Sequence, residues 1–281
     1  MRLARKYTGA MILSFGREAS LGAAPLVVAL GAVLAYALAL WPGAAQRRLS
    51  ELALVAGWLL HAVVLLLDIG GAGLPGARLG FAPVLSLTVW LVLAVHEVES
   101  RLVPVPGVRR GLALAGMVAV LLAWAFPGDV RPATGSAWAP LHFVLGVASY
   151  GLFGAAVLHA ALLDSAERRI RQHPTAPAGP GGMPLLRLER LTFRFVEAGF
   201  AVLTLALLLG VATTTVWRFN HKIVFSMLAW VVFAALLSGR ALRGWRGRRA
   251  TRWLYVGAAL LLLAYVGYHF VLEVVLMRQA G

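Results

Sequence analysis

The chain has 281 residues, 60% of them hydrophobic and 13% charged, with no cysteine and a formal net charge of +15. A soluble domain is about half apolar and about a quarter charged, so this composition excludes one and describes a polytopic membrane protein. The missing cysteines exclude disulfides, thiolate metal sites, CxxC redox chemistry and CxxCH haem attachment. The arginines fall in short loops between apolar runs, where they orient the chain and touch anionic lipid instead of marking a nucleic-acid surface.

Residues 1–23 form a basic tail, with an apolar patch too short to span and no clear cleavage site. A spanning helix needs about twenty apolar residues. Eight candidates follow, within a single membrane domain over 24–281: 24–41, 50–68, 80–96, 111–126, 139–163, 191–217, 221–240 and 253–277. The predicted fold is therefore all-α, a polytopic membrane bundle of about eight transmembrane helices. Connections are short except 164–190, whose HPTAPAGPGGMP reads as irregular. The loops after the first, third, fifth and seventh spans carry Arg47 and Arg48, then Arg101, Arg109 and Arg110, then a group from Arg168 to Arg194, then Arg240 to Arg252. The positive-inside rule puts these loops in the cytoplasm and both termini outside.

That orientation gives each of the seven histidines a depth. His142 opens the fifth span and His221 the seventh, both at the outer lip. His269 lies in the outer half of the last span, and His61 near the middle of the second or slightly outward. His96 and His159 fall at cytoplasmic ends and His173 in the cytoplasmic linker, where histidine is an ordinary boundary residue. His61 stands in an otherwise apolar stretch, GWLLHAVVLLL, and must face the bundle interior and find a partner. A structural hydrogen bond across helices and a ligand role both satisfy that requirement. Four histidines thus lie in the outer half on four different helices. Zinc would want carboxylates or thiolates beside them; Asp68 and Glu273 are outer acids, but nothing has HExxH spacing. Haem suits the inventory better, being flat and apolar and taking neutral imidazole on its axis. Its propionates would want outer cations, and Arg218 and Lys222 flank His221.

The segments PLHFVLGVASYGLFGAAVLHAALLD, LERLTFRFVEAGFAVLTLALLLGV, HKIVFSMLAWVVFAALLSGRALRGWRGRR and LLAYVGYHFVLEVVL, in that order, resemble the cytochrome c assembly integral membrane family, in its short HemX- and YpjD-like branch. The resemblance implies a haem-handling bundle of the bacterial inner membrane. In it His142 matches a histidine that opens the corresponding helix and serves as an outer haem ligand, and His61 matches one recurring in an early span. The synthetase members carry a tryptophan-rich outer segment ending in Trp-Asp, where this chain has VATTTVWRFNH with only Trp217. They keep a second outer histidine after their last span, where the nearest residue of that type is His269. They place a further ligand where this chain has Ser238.

The remaining polar features read as structural. Arg194 and Glu197 are spaced for an i,i+3 ion pair, Tyr150 for a helix–helix hydrogen bond, and RGWRGRRATRW for a cytoplasmic anchor with Trp245 and Trp253 at the interface. The resulting expectation is a protein that binds or passes haem b non-covalently, with His142 and His221 as metal ligands and His61, His269, Arg218 and Lys222 around the cofactor. It would bind and orient without side-chain acid–base catalysis. Its partners would be haem, membrane lipid and other cytochrome c maturation proteins, not nucleic acid. The rivals are a permease or transporter subunit for another small solute, and a membrane scaffold or regulator.

Overall fold

The computed structural model describes residues 23–41, 47–69, 76–102, 108–132, 138–172, 185–213, 221–267 and 270–271. Eight helices account for nearly all of them: α1 (Ala23–Ala39), α2 (Arg47–Ile69), α3 (Phe81–Leu102), α4 (Val108–Ala125), α5 (Ala139–Gln172), α6 (Leu185–Thr213), α7 (His221–Arg243) and α8 (Gly247–Leu262), the last running into a π-helical turn at Leu263–Gly267. Seven of them, α2 to α8 with its π turn, are long and apolar enough to cross a membrane. α1 is apolar but has 17 residues, about 25 Å at 1.5 Å per residue, slightly less than a hydrocarbon core of about 30 Å. The expected tail lies outside the described residues.

Several element ends differ from the sequence reading: α3 runs on to Leu102 instead of 96, and α8 begins at Gly247 instead of 253. α5 does not stop at 163 but continues to Gln172, and α6 begins at Leu185 instead of 191. Hydropathy ends a span where the charges begin, but AERRIRQ is made of good helix formers, and nothing stops the helix until Pro174. The linker expected over 164–190 is thus largely helical at both ends, and α5 and α6 form the most extensive helix pair in the fold.

The bundle has two cores. One is shared by α1–α4 and centres on Tyr36, Leu54, Leu93 and Val120. The other is shared by α5–α8 and centres on Phe153, Phe193, Phe233 and Leu254. α3 packing on α5 joins them. Tyr36, fully buried, fills a slot between two glycines: a Cβ on Gly57 would lie 2.8 Å from its ring, and one on Gly116 2.6 Å. α2 and α3 are clasped by Trp58 and Trp90, stacked at 5.2 Å, each indole N–H donating to the other's backbone carbonyl, at 3.3 and 3.0 Å. Such bonds hold helices together where lipid gives no hydrophobic drive to associate.

A two-stranded antiparallel ribbon, which the sequence did not suggest, closes the arginine-poor end. β1 (Gly76–Leu79) pairs with β2 (Asp129–Pro132) in the register Gly76↔Pro132 to Leu79↔Asp129. Gly128 makes it possible: its φ is +74°, and a Cβ there would meet the Leu79 carbonyl oxygen at 2.7 Å. Beneath the ribbon, Arg78 is buried with Asp68 3.9 Å away, and Phe81 meets Phe126 and Phe270.

At the opposite end the α7–α8 turn corrects the reading of Trp245 as an interface anchor. Its indole folds inward, 8% exposed, against Gly239, and Arg249 covers it at 4.2 Å. The sharp turn is made by Gly244 and Gly247, both at positive φ.

Candidate functional site

His142 sits in the first turn of α5, its N–H 3.0 Å from the Trp138 carbonyl. Its imidazole lies against α6. Nδ1 is 3.0 Å from the Ala206 carbonyl oxygen, and the ring rests on Gly210, where a Cβ would stand 3.0 Å from Cε1. A carbonyl only accepts, so Nδ1 carries the hydrogen and Nε2 keeps its lone pair. The ring is half-buried, and no described residue bonds Nε2. A neutral imidazole oriented by a backbone carbonyl through one nitrogen and open at the other is what an axial metal ligand requires. Gly210 is the residue the sequence reading missed. Its signal was a lone glycine in LALLLGVAT, visible only once the helix facing it is known.

The other candidates divide. His61 is fully buried at the centre of the α1–α4 core, with both ring nitrogens occupied. Tyr36 Oη is 3.1 Å from Nδ1, and Nε2 is 2.7 Å from Ser86 Oγ. These bonds tie α1, α2 and α3 together, and they supply the partner that an ionisable residue in an apolar span demands. The structure therefore does not bring His61 together with His142, which rests on α6 beside the other core. His221 is the first residue of α7 and exposed. Lys222 follows it, with Nζ 4.8 Å above the Tyr265 ring in the π turn. His269 and Arg218 lie outside the described residues, as does His173. Among the described residues no group of three or more His, Asp or Glu is placed to hold a metal ion.

Two histidines read as boundary residues turn out to be buried. His159, 4% exposed, has Nδ1 2.8 Å from its own helix's Ala155 carbonyl and Nε2 2.9 Å from Glu99 Oε2. His96 is buried nearby, within electrostatic reach of Glu99, His159 and Arg109. This cluster locks α3 to α5 toward the arginine-rich end. Asp164 does the same for α5 and α8, accepting from Thr251 and Tyr255 at 3.0 and 2.9 Å. Tyr150 makes the helix–helix bond expected of it, donating to the Leu261 carbonyl. The expected Arg194–Glu197 pair is absent: both are exposed, and the ion pair in that region joins Arg240 to Glu189 at 3.2 Å.

The model of the family described as cytochrome C assembly protein matches residues 48–276, which takes in α2 to α8 and the seat of His142. The chain belongs to the cytochrome c assembly protein family. Relatives include an uncharacterised 28.8 kDa protein of Azospirillum brasilense, 31% identical over 59% of this chain and 63% of that one. The cytochrome c biogenesis protein CcsA of a Synechococcus strain is 25% identical over 90% of this chain and 92% of its own. The inner membrane protein YpjD of Escherichia coli is 27% identical over 89% and 99%. The chain thus spans under two thirds of the first of these relatives and nearly all of the other two. No solved structure matches. With seven apolar membrane-length helices, this member of the cytochrome c assembly family is a multi-pass inner-membrane protein.

Proposed function

We propose that the protein handles haem during cytochrome c assembly, and that His142, through Nε2, would be a residue that holds it. The observation that carries the reading is the seat of His142: one nitrogen bonded to the Ala206 carbonyl, the other open, the ring resting on Gly210. Haem, when bound, supplies an iron that takes neutral imidazole and a macrocycle that partitions into apolar surroundings. The chain's own part is to bind and orient: Ala206 fixes the tautomer, Gly210 leaves room for the ring, and α6 positions both. A second ligand would come from His221 or His269, and Lys222 and Arg218 would be the cations for the haem propionates. In this reading the protein acts as a carrier or chaperone of haem. Its further partners are other cytochrome c maturation proteins. The relatives' names, cytochrome c biogenesis protein among them, support the same reading.

The test is an absorption spectrum of the detergent-purified protein, oxidised and reduced, before and after adding hemin. Bis-imidazole ligation gives sharp low-spin bands. His142→Ala should lose haem or turn it high-spin, and free imidazole should partly restore it. His173→Ala should change nothing. A preparation from haem-replete cells that is haem-free and cannot take up hemin overturns the reading and leaves the permease or scaffold alternatives.

A further inference from the structure

The packing of α3 on α5 is the joint between the two halves of the bundle. Part of it is shape: Gly151 and Gly154 of α5 make room for Leu91 and Val92 of α3, where added Cβ atoms would stand 2.8 and 2.7 Å away. Toward the arginine-rich end the joint also holds a polar bond, between His159 of α5 and Glu99 of α3. Neither residue takes part in the seat of His142.

Hydrogens can be counted in that bond. His159 Nδ1 lies 2.8 Å from the Ala155 carbonyl oxygen, which only accepts, so Nδ1 carries a hydrogen. Nε2 lies 2.9 Å from Glu99 Oε2. With Nδ1 protonated, a neutral ring offers only a lone pair at Nε2, and a carboxylate offers only lone pairs in return. The contact closes only with a further hydrogen between them. That hydrogen sits on Nε2, as imidazolium beside carboxylate, or on Oε2, as carboxylic acid beside neutral imidazole. Both forms hold the same two hydrogens and carry no net charge, as a histidine 4% exposed inside an apolar helix requires. Glu99 Oε1 is buried without a hydrogen bond, and a bare oxygen costs less on a neutral acid than on a carboxylate.

Among the described residues the surroundings add no further hydrogen bond to the pair. On α3, His96 is buried one turn before Glu99, within electrostatic reach of Glu99, His159 and Arg109, while Glu97 is within reach of Tyr36 on α1. On α4, Arg109 faces Glu51 of α2 at 3.6 Å, and Arg110 is exposed. α6 presents the Phe195 ring, 5.2 Å from the imidazole. On α8, Thr251 and Tyr255 are turned to Asp164, five residues past His159 on α5. The Glu99 side chain is 21% exposed and α3 ends three residues later at Leu102, so the pair stands within a turn of the helix end.

We propose that His159 and Glu99 together bind one proton, and that this proton locks α3 to α5. Once it is lost, a lone pair faces a carboxylate across the same gap, the two acceptors repel, and the joint between the halves loosens. The site is separate from His142 and does not depend on the haem reading. In the unfolded chain the two groups titrate at about 4.3 and about 6.5. Above about pH 6.5 the unfolded chain therefore holds one hydrogen on them and the folded pair holds two, so the folding equilibrium constant falls about tenfold per pH unit for as long as the folded pair keeps its proton. Glu99→Gln supplies the same hydrogen from an amide N–H that does not titrate. The experiment is reversible unfolding of the full chain in mixed micelles from about pH 6.5 to about pH 8.5, read as the wild-type constant divided by that of Glu99→Gln, in which the other titrating groups cancel. The ratio should fall about tenfold per unit. The Glu99→Leu/His159→Leu double variant, with neither partner left, is a second denominator that should give the same slope, so the test stands even where the glutamine variant does not fold. A contact that binds no proton would shift the constant equally at every pH. A ratio that is constant across this range, or that rises, overturns the proposal.

Discussion

Replacing His61 with leucine separates a structural histidine from a ligand. The substitution removes two interhelical hydrogen bonds, to Tyr36 and to Ser86. In membrane proteins such bonds average about 0.6 kcal/mol and reach about 1.7, so the pair amounts to roughly 1–3 kcal/mol. Ser86 can turn to a carbonyl of its own helix, as serine does in apolar spans. Tyr36 has less freedom, because Gly57 and Gly116 hold its ring from two helices, and its hydroxyl stays buried without a partner. A bare buried polar group adds about 1–3 kcal/mol. His61→Leu should therefore destabilise the bundle by about 2–6 kcal/mol in reversible unfolding from mixed micelles. Tyr36→Phe should lose less, about 2–4 kcal/mol, since His61 keeps Ser86 but its Nδ1 stays buried without a partner. The double variant should fall short of the sum, because both changes break one bond. Haem spectra of the folded His61→Leu protein should match wild type. Independent losses in the double variant would refute the Tyr36–His61 bond, and a folded His61→Leu protein without haem would refute the structural role.

Three further expectations follow from named contacts. Gly210→Val places carbon atoms where the His142 ring lies, since even a Cβ stands 3.0 Å from Cε1; haem affinity should fall about 10–100-fold, as when the group orienting a ligand is disturbed, with little change in melting. Glu99→Leu leaves His159 buried without its 2.9 Å partner and should lose about 3–5 kcal/mol in the same unfolding assay, most of which the Glu99→Leu/His159→Leu double variant should recover. Cysteines placed singly at 173–184 should be shielded from an impermeant thiol reagent in intact cells, while one at 135 should react; the reverse pattern would invert the orientation argued from the arginines.

What the sequence made legible is what hydrocarbon imposes. Each span announces itself because an apolar run of membrane length has no other use, and the need of His61 for a partner follows from the same rule. Its partners did not follow. Tyr36 and Ser86 each stand 25 residues away, one on either side, and only the packing of three helices makes them neighbours. His159 and Trp245 were misjudged for a related reason. Charge and aromaticity near a span's end suggest the lipid–water boundary, but α5 runs on to Gln172, so His159 is well inside a helix and faces Glu99 of α3. Trp245 sits in a glycine turn tight enough to fold the indole back onto Gly239. The ribbon was invisible because GARL and DVRP are too short to show a period, and their pairing depends on where four helices end.

The two histidines ranked by depth, His61 and His142, show where such ranking stops. Each is a single imidazole on an apolar helix, and each has one nitrogen satisfied from a neighbouring helix. The difference lies in the second nitrogen. At His61 it meets Ser86 Oγ at 2.7 Å in a site with no exposure. At His142 the Ala206 carbonyl takes the first nitrogen, and Gly210, by lacking a side chain, lets the ring lie against α6 with the second bonded by no described residue. At His61 hydroxyls occupy both nitrogens, so the lone pair is taken in either tautomer, whereas a carbonyl on one nitrogen of His142 preserves it on the other. The capacity to hold a metal is thus set by the helix across the interface: α3 presents a hydroxyl to His61, and α6 presents a bare backbone to His142.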